Sequence, residues 1–158
     1  MSSEITTYRI CKTKYASTAF DGEGAFRFGG RWNLRGTRII YTAGNLALAA
    51  LEMLVHLDDD SMLFEYSYIL AQIQSDLILK VEDFRPLPKD WSNSPAPIAV
   101  QQIGNDWAKS GISAVLEIPT SIIPLEKNYL INPLHADFAK ITIGKPQTFK
   151  FDERLAKN

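Results

Sequence analysis

Five of the chain's nine glycines (Gly22, Gly24, Gly29, Gly30 and Gly36) crowd into residues 22–36, and that density limits what the segment can become. Glycine supplies positive φ and lets the backbone come close to another group, so such crowding rarely serves packing alone. The segment reads as a loop that the rest of the fold must hold in place. Within it, Arg31 offers a guanidinium suited to phosphate or carboxylate, and Trp32 offers a flat apolar surface. Arg27, Arg31, Arg35 and Arg38 recur at roughly helical spacing, but the flanking glycines argue against a helix, so these cations are not expected to share a face.

The rest of the chain divides into many short strand-like runs and two helical ones. Residues 5–11, 37–42, 62–74, 77–81, 113–118, 127–131, 138–143 and 147–151 have β character. A helix is expected from Asn45, as N-cap, to Leu57, and another from Pro97 to about Lys109. With no βαβ rhythm, the pattern predicts an α+β domain built on a mostly antiparallel sheet with a few helices. After Asn45 only Glu52 and His56 interrupt the apolar residues of the first helix. They lie four apart, and the acidic run Asp58-Asp59-Asp60 stops the helix.

Composition narrows the function. At 158 residues the chain suits a single domain with its own core, and 46% apolar with 22% charged residues is ordinary globular usage. A net charge of −1 gives no support for a general nucleic-acid binder. The one cysteine, Cys11, excludes an intramolecular disulfide. His56 and His135 are too few and too far apart for a zinc cluster, so no metal is expected. The N-terminus lacks the regions of a secretory signal, and no apolar run reaches the ~18–20 residues that span a bilayer. The expectation is a soluble, cytoplasmic protein without a membrane partner.

Several separated motifs occur together: Gly29-Gly30-Arg31-Trp32-Asn33 with Gly36, Ile40-Tyr41-Thr42-Ala43, Ala49-x-x-Glu52, Pro119-Thr120-Ser121, and Asn128-Tyr129-Leu130-Ile131-Asn132-Pro133-x-His135. In this order they resemble the RES domain, over nearly the whole chain from Tyr8-Arg9 to about Ile143. The family is named for an arginine, a glutamate and a serine, matched here by Arg31, Glu52 and Ser121. The resemblance implies a fold similar to ADP-ribosyltransferases and a toxin of a type II pair whose partner is an Xre-type helix-turn-helix antitoxin. It also implies cleavage of the nicotinamide–ribose bond of NAD+, which is substrate rather than cofactor, with water or inorganic phosphate as acceptor.

On that resemblance Glu52 would stabilise the ribosyl cation, Arg31 would hold the pyrophosphate, Tyr41 would stack on nicotinamide and Ser121 would hydrogen-bond ribose or nicotinamide. Arg9 would join the anion site, and Asn128 would make a polar contact to substrate. Without it the residues read more plainly: Glu52 as a solvent-facing helix residue, Tyr41 as a core aromatic, Arg9 in an ion pair, Ser121 as a turn cap. Two rival functions stand beside NAD+ degradation, namely ADP-ribosylation of a protein and nucleotide binding without turnover. The oligomeric state, a homodimer included, is left open.

Overall fold

A computed structural model describes residues 2–57, 61 and 64–155. The acidic run at 58–60 and the first two residues of the strand expected at 62–74 lie outside these. Eight strands form one sheet among the described residues: β1 (Glu4–Lys12), β2 (Ile40–Ala43), β3 (Tyr66–Gln74), β4 (Ile78–Lys80), β5 (Val115–Pro119), β6 (Lys127–Ile131), β7 (Thr142–Ile143) and β8 (Gln147–Phe149). Their order is β4-β5-β6-β2-β1-β3-β7, with β8 also pairing along β3. The neighbours are antiparallel except β4 and β5, which are parallel. That pair is joined through α3 (Val81–Phe84) and α4 (Ile98–Ser110); a strand, a helix and a strand are each expected near these positions, but nothing in the sequence pattern says that the two strands lie side by side and parallel.

The remaining differences have local causes. Gly22 (φ 75°) and Gly29 (φ 72°) do not interrupt a helix but bracket one, α1 (Glu23–Phe28). Left-handed glycines end helices without a Cβ penalty, so glycine on both sides marked the boundaries of a short helix. Arg27 lies in α1, whereas Arg31, Arg35 and Arg38 lie beyond it. The expected strand at 138–143 shrinks to β7 because a 3-10 turn takes Ala136–Lys140. Helix α2 (Leu46–Leu54) starts as expected, with the Asn45 side chain accepting from Leu48 N at 2.7 Å. It ends at Leu54, so the exposed His56 lies past the helix and does not share a helical face with Glu52.

Strand alternation sorts the core onto two faces of the sheet. Ile40, Ala71, Ile73, Val115 and Ile131 bury one face beneath Phe20 and Phe138. The opposite face carries two separate clusters. Leu116, Ile118 and Leu130 pack with Trp32, Val81 and the α4 residues Val100, Ile103 and Trp107. Ile10, Ala43 and Tyr66 pack with Leu48 and Ala49 of α2 and with Phe151. Tyr41 borders the first cluster and Tyr8 the second, so a seam runs between α4 and α2 on this face. Among the described residues no helix is long and apolar enough to cross a membrane.

Gly104 lets α4 press against the glycine-rich loop, since a Cβ there would overlap the carbonyl oxygen of Trp32. Backbone cannot yield as a side-chain tip can, so Gly104→Ala should lose ~1–3 kcal/mol, the usual cost of overpacking. Gly24, within α1, has nothing within 4 Å of its Cβ position. Gly24→Ala should therefore gain ~0.4–1 kcal/mol from a less flexible unfolded chain. Urea unfolding of the two variants checks the pair; equal effects would mean that α4 does not rest on the Trp32 backbone.

Candidate active site

The arginine loop is fastened from three sides. Gly30 and Asn33 bridge to one another, with Gly30 N donating to Asn33 O at 3.0 Å, and this tight turn carries Arg31 and Trp32 at its tip. Asn33 is fully buried, and its Nδ2 donates to the carbonyls of Ala25, Leu34 and Thr37 at 3.0–3.2 Å. The Tyr41 hydroxyl donates to Asn33 Oδ1 at 2.6 Å and accepts from Trp32 N at 3.0 Å. A Cβ on Gly30 would lie 2.6 Å from that hydroxyl, so glycine is what allows the approach.

From α4, Gln101 donates to Gly30 O at 3.0 Å, and Asn105 Oδ1 accepts from Leu34 N at 3.0 Å. Sequence reasoning passed over these two. Their signal was two amides four residues apart beside a helical glycine, which puts amides and gap on one helix face.

Tyr41 thus differs from its sequence reading in one respect. Burial raises its pKa, against weaker opposing effects of the Trp32 N–H and the Arg31 charge, so the phenol stays protonated. Its hydroxyl is occupied as donor and acceptor, which leaves the ring as its free surface.

Arg31 is held by neutral groups. Its Nη1 donates to Asn93 O at 2.8 Å and Trp91 O at 3.3 Å, both in the proline-rich segment before α4. Among the described residues no carboxylate pairs with it and its other donors have no acceptor. A guanidinium aimed by carbonyls keeps its full charge for an anion.

Glu52 leaves α2 half-buried and meets Asn128 of β6, whose Nδ2 donates to Glu52 Oε1 at 2.9 Å. Asn128 lies opposite Ala43 on one side and Ile118 on the other, so register puts it on the sheet face of Tyr41. The bond crosses the seam between the two clusters. The half-buried Ser121 lies just past the Pro119↔Lys127 pair, at the same end of the sheet as Asn128. Turn capping here falls to Thr120, whose Oγ1 accepts from Ile122 N (3.1 Å) and Ile123 N (3.2 Å). The Ser121 hydroxyl has no hydrogen bond among the described residues.

Arg9 takes another place. Ile10 packs under α2, so Arg9, next to it on β1, leaves by the opposite face. β1 and β2 pair only at Tyr8↔Ala43, and beyond that point Arg9 Nη1 donates to the Tyr41 carbonyl at 3.0 Å. Burial lowers its pKa, and its Nε is enclosed without an acceptor. No ion pair involves it among the described residues. Arg9 therefore stands behind the site, braced against the strand that carries Tyr41.

A cavity of about 520 Å³ lies elsewhere, lined by Phe26, Arg38, Lys109, Asn132, Leu134 and His135 among others. Asn132 is four residues along the chain from Asn128, ~13 Å in a strand. Its amide is already committed to Ala108 O and Leu134 N. The cavity brings together none of Arg31, Tyr41, Glu52 or Ser121, so the seam and not the cavity is the candidate site.

The whole chain is similar to known proteins. A family model described as the RES domain matches residues 6–152. The chain is 37% identical over 151 residues to "Toxin Res" of Yersinia enterocolitica, covering 94% of this chain and 97% of that one. It is 34% identical over 145 residues to the "Prs ADP-ribosylating toxin" of a Sphingobium strain, covering 90% of each. The crystal structure of the M. tuberculosis MbcT–MbcA toxin–antitoxin complex contains a chain of similar fold. The TM-score is 0.72 at 15% identity, over 95% of this chain and 86% of that one.

The engaged hydroxyl of Tyr41 sets a measurable cost. Tyr41→Phe strands the Trp32 N–H and Asn33 Oδ1, which should lower stability at neutral pH by ~1–3 kcal/mol. Burial also pushes Tyr129 up, to about 12, helped by the adjacent Glu117 carboxylate. Both phenols therefore bind protons in the folded chain that an unfolded tyrosine, of pKa ~10, has already released. Their contribution is complete below ~10 and declines as pH rises toward the folded values. Urea unfolding at about pH 8 and about pH 11 should show a shallower alkaline loss in Tyr41→Phe than in wild type. Equal losses would mean that Tyr41 is not a buried phenol.

Proposed function

The chain belongs to the RES domain family, and on that premise we propose that this RES-domain toxin cleaves the nicotinamide–ribose bond of NAD+. The observation that carries the reading is an arginine held by carbonyls alone beside a carboxylate held by one amide, the first without a counter-ion and the second without a further partner among the described residues. An anionic dinucleotide needs the first, and a sugar that becomes cationic needs the second.

In this reaction the bond between the ribose C1 and the pyridinium nitrogen breaks, and its electron pair stays on nitrogen. Nicotinamide leaves as a neutral ring and needs no proton. Positive charge develops on the ribose, where the Glu52 carboxylate stabilises it electrostatically. Arg31 holds the pyrophosphate through the donors that the loop carbonyls leave free. The Tyr41 ring, fixed in orientation by its hydroxyl, offers a stacking surface for nicotinamide. Ser121 supplies a hydroxyl to the ribose or carboxamide. Arg9 acts from behind by holding the Tyr41 strand rather than by touching phosphate. Water or inorganic phosphate then attacks C1 and gives up a proton, yielding ADP-ribose or its 1-phosphate.

The partner in this reading is an Xre-type antitoxin, supported by the similar fold of a toxin crystallised with its antitoxin. The cytoplasm, where NAD+ is plentiful, is the compartment proposed. The name of the Sphingobium relative favours one second reading, transfer of the same ribosyl cation to a protein acceptor.

Purified protein given NAD+, with and without inorganic phosphate, should release nicotinamide measurable by chromatography. Glu52→Gln should lower kcat by ~10²–10³-fold, the loss typical when one electrostatic stabiliser is removed. Arg31→Ala should chiefly raise KM. No nicotinamide release by folded wild type in either buffer removes NAD+ cleavage. Label transfer from NAD+ to a protein with little free ADP-ribose selects the second reading.

A further inference from the structure

Asn128 is a polar side chain set among apolar and aromatic neighbours on its sheet face. Its neighbours on that face are Leu116 and Ile118 of β5, Tyr41 and Ala43 of β2, and Leu130 two residues along its own strand. Among the described residues its side chain makes one hydrogen bond, to Glu52 Oε1 at 2.9 Å, while its Oδ1 is enclosed and has no donor. An enclosed acceptor without a donor costs stability, so this amide is not explained by the needs of the fold. The closed-in Oδ1 also has no surface to offer a substrate. What remains is its effect on Glu52.

Glu52 is a flexible side chain near the end of a nine-residue helix, and Asn128 is its only hydrogen-bond partner among the described residues. Asn128 itself sits on a strand paired on both sides, so its backbone is fixed. We propose that Asn128 is the positioning residue of Glu52: its Nδ2 captures Oε1 and turns Oε2 alone toward the sugar. This rests on the reading of Glu52 as the carboxylate that acts in the site. The orphaned Oδ1 follows from the same arrangement, since an amide that turns its N–H to the carboxylate must turn its oxygen into the apolar wall.

The test uses two variants of near-native size. Asn128→Leu removes the bond and the orphaned acceptor together, and should melt at or above the wild-type temperature. Asn128→Asp sets a second carboxylate against Glu52 Oε1. Both should lose ~10–100-fold in kcat, the scale expected when a reacting group is misplaced by about an ångström. KM for NAD+ should stay within about twofold. An unchanged kcat in either folded variant, or a raised KM with kcat intact, overturns the proposal; the latter would make Asn128 a substrate contact.

Growth arrest on induced expression provides a readout that does not presuppose NAD+. Wild type that arrests growth without cleaving NAD+ would end the proposed reaction. Asn128 would then be judged on arrest, which folded Asn128→Leu should abolish if the proposal holds and retain if it does not.

Discussion

Tyr41 takes the Trp32 amide proton on its hydroxyl and gives its own proton to Asn33, so the glycine-rich loop is bonded to β2 at two successive residues. Asn33 passes that attachment on to three carbonyls, two of them within the same loop and one in α1. Without the phenol, a loop this rich in glycine would have little reason to keep one conformation, because its backbone entropy is high. With it, the tip bearing Arg31 inherits the rigidity of the sheet. A tyrosine suits this task because its ring spans from strand to loop while its buried hydroxyl both donates and accepts.

The other half of the site depends on a seam left between two cores. One core joins α4 to β5 and β6, the other joins α2 to β1 and β3, and both rest on the same sheet face. Two polar pairs lie along this boundary, Glu52 with Asn128 and Tyr41 with Asn33. Helix and strand, rather than mobile connections, carry Glu52 and Asn128, which favours a defined geometry.

What could be read from sequence followed the strength of the local signal. Lys127–Ile131 was legible as a strand to the residue, and Asn45 as the cap of α2, because a short run of aromatic and branched apolar residues and a capping side chain are local signals. α1 was missed because its glycines looked like breakers and serve as ends. The β4–β5 crossover was not legible, although both strands were, because which strands pair is a long-range choice that local periods do not record. Arg31 and Glu52 stood out by residue type and motif. The carbonyls of Trp91 and Asn93 carry no sequence signature at all, since every residue has one. Gln101 and Asn105 resembled the ordinary polar side of a helix until their partners were known. That the Arg9 side chain leaves on the far face is a matter of strand parity, which the residue alone does not disclose.

The neutral acceptors around Arg31 bear on how fast a ligand arrives as well as how it is held. A guanidinium paired with a carboxylate presents a dipole whose field fades within a few ångströms. One held by carbonyls presents a whole charge, felt by an approaching anion out to about the ~8 Å screening length of physiological salt. On a chain whose net charge is only −1, that local field faces little general repulsion. Encounter with a phosphorylated ligand is then accelerated at low ionic strength and slowed as salt is added, while a neutral ligand of the same shape shows no such dependence.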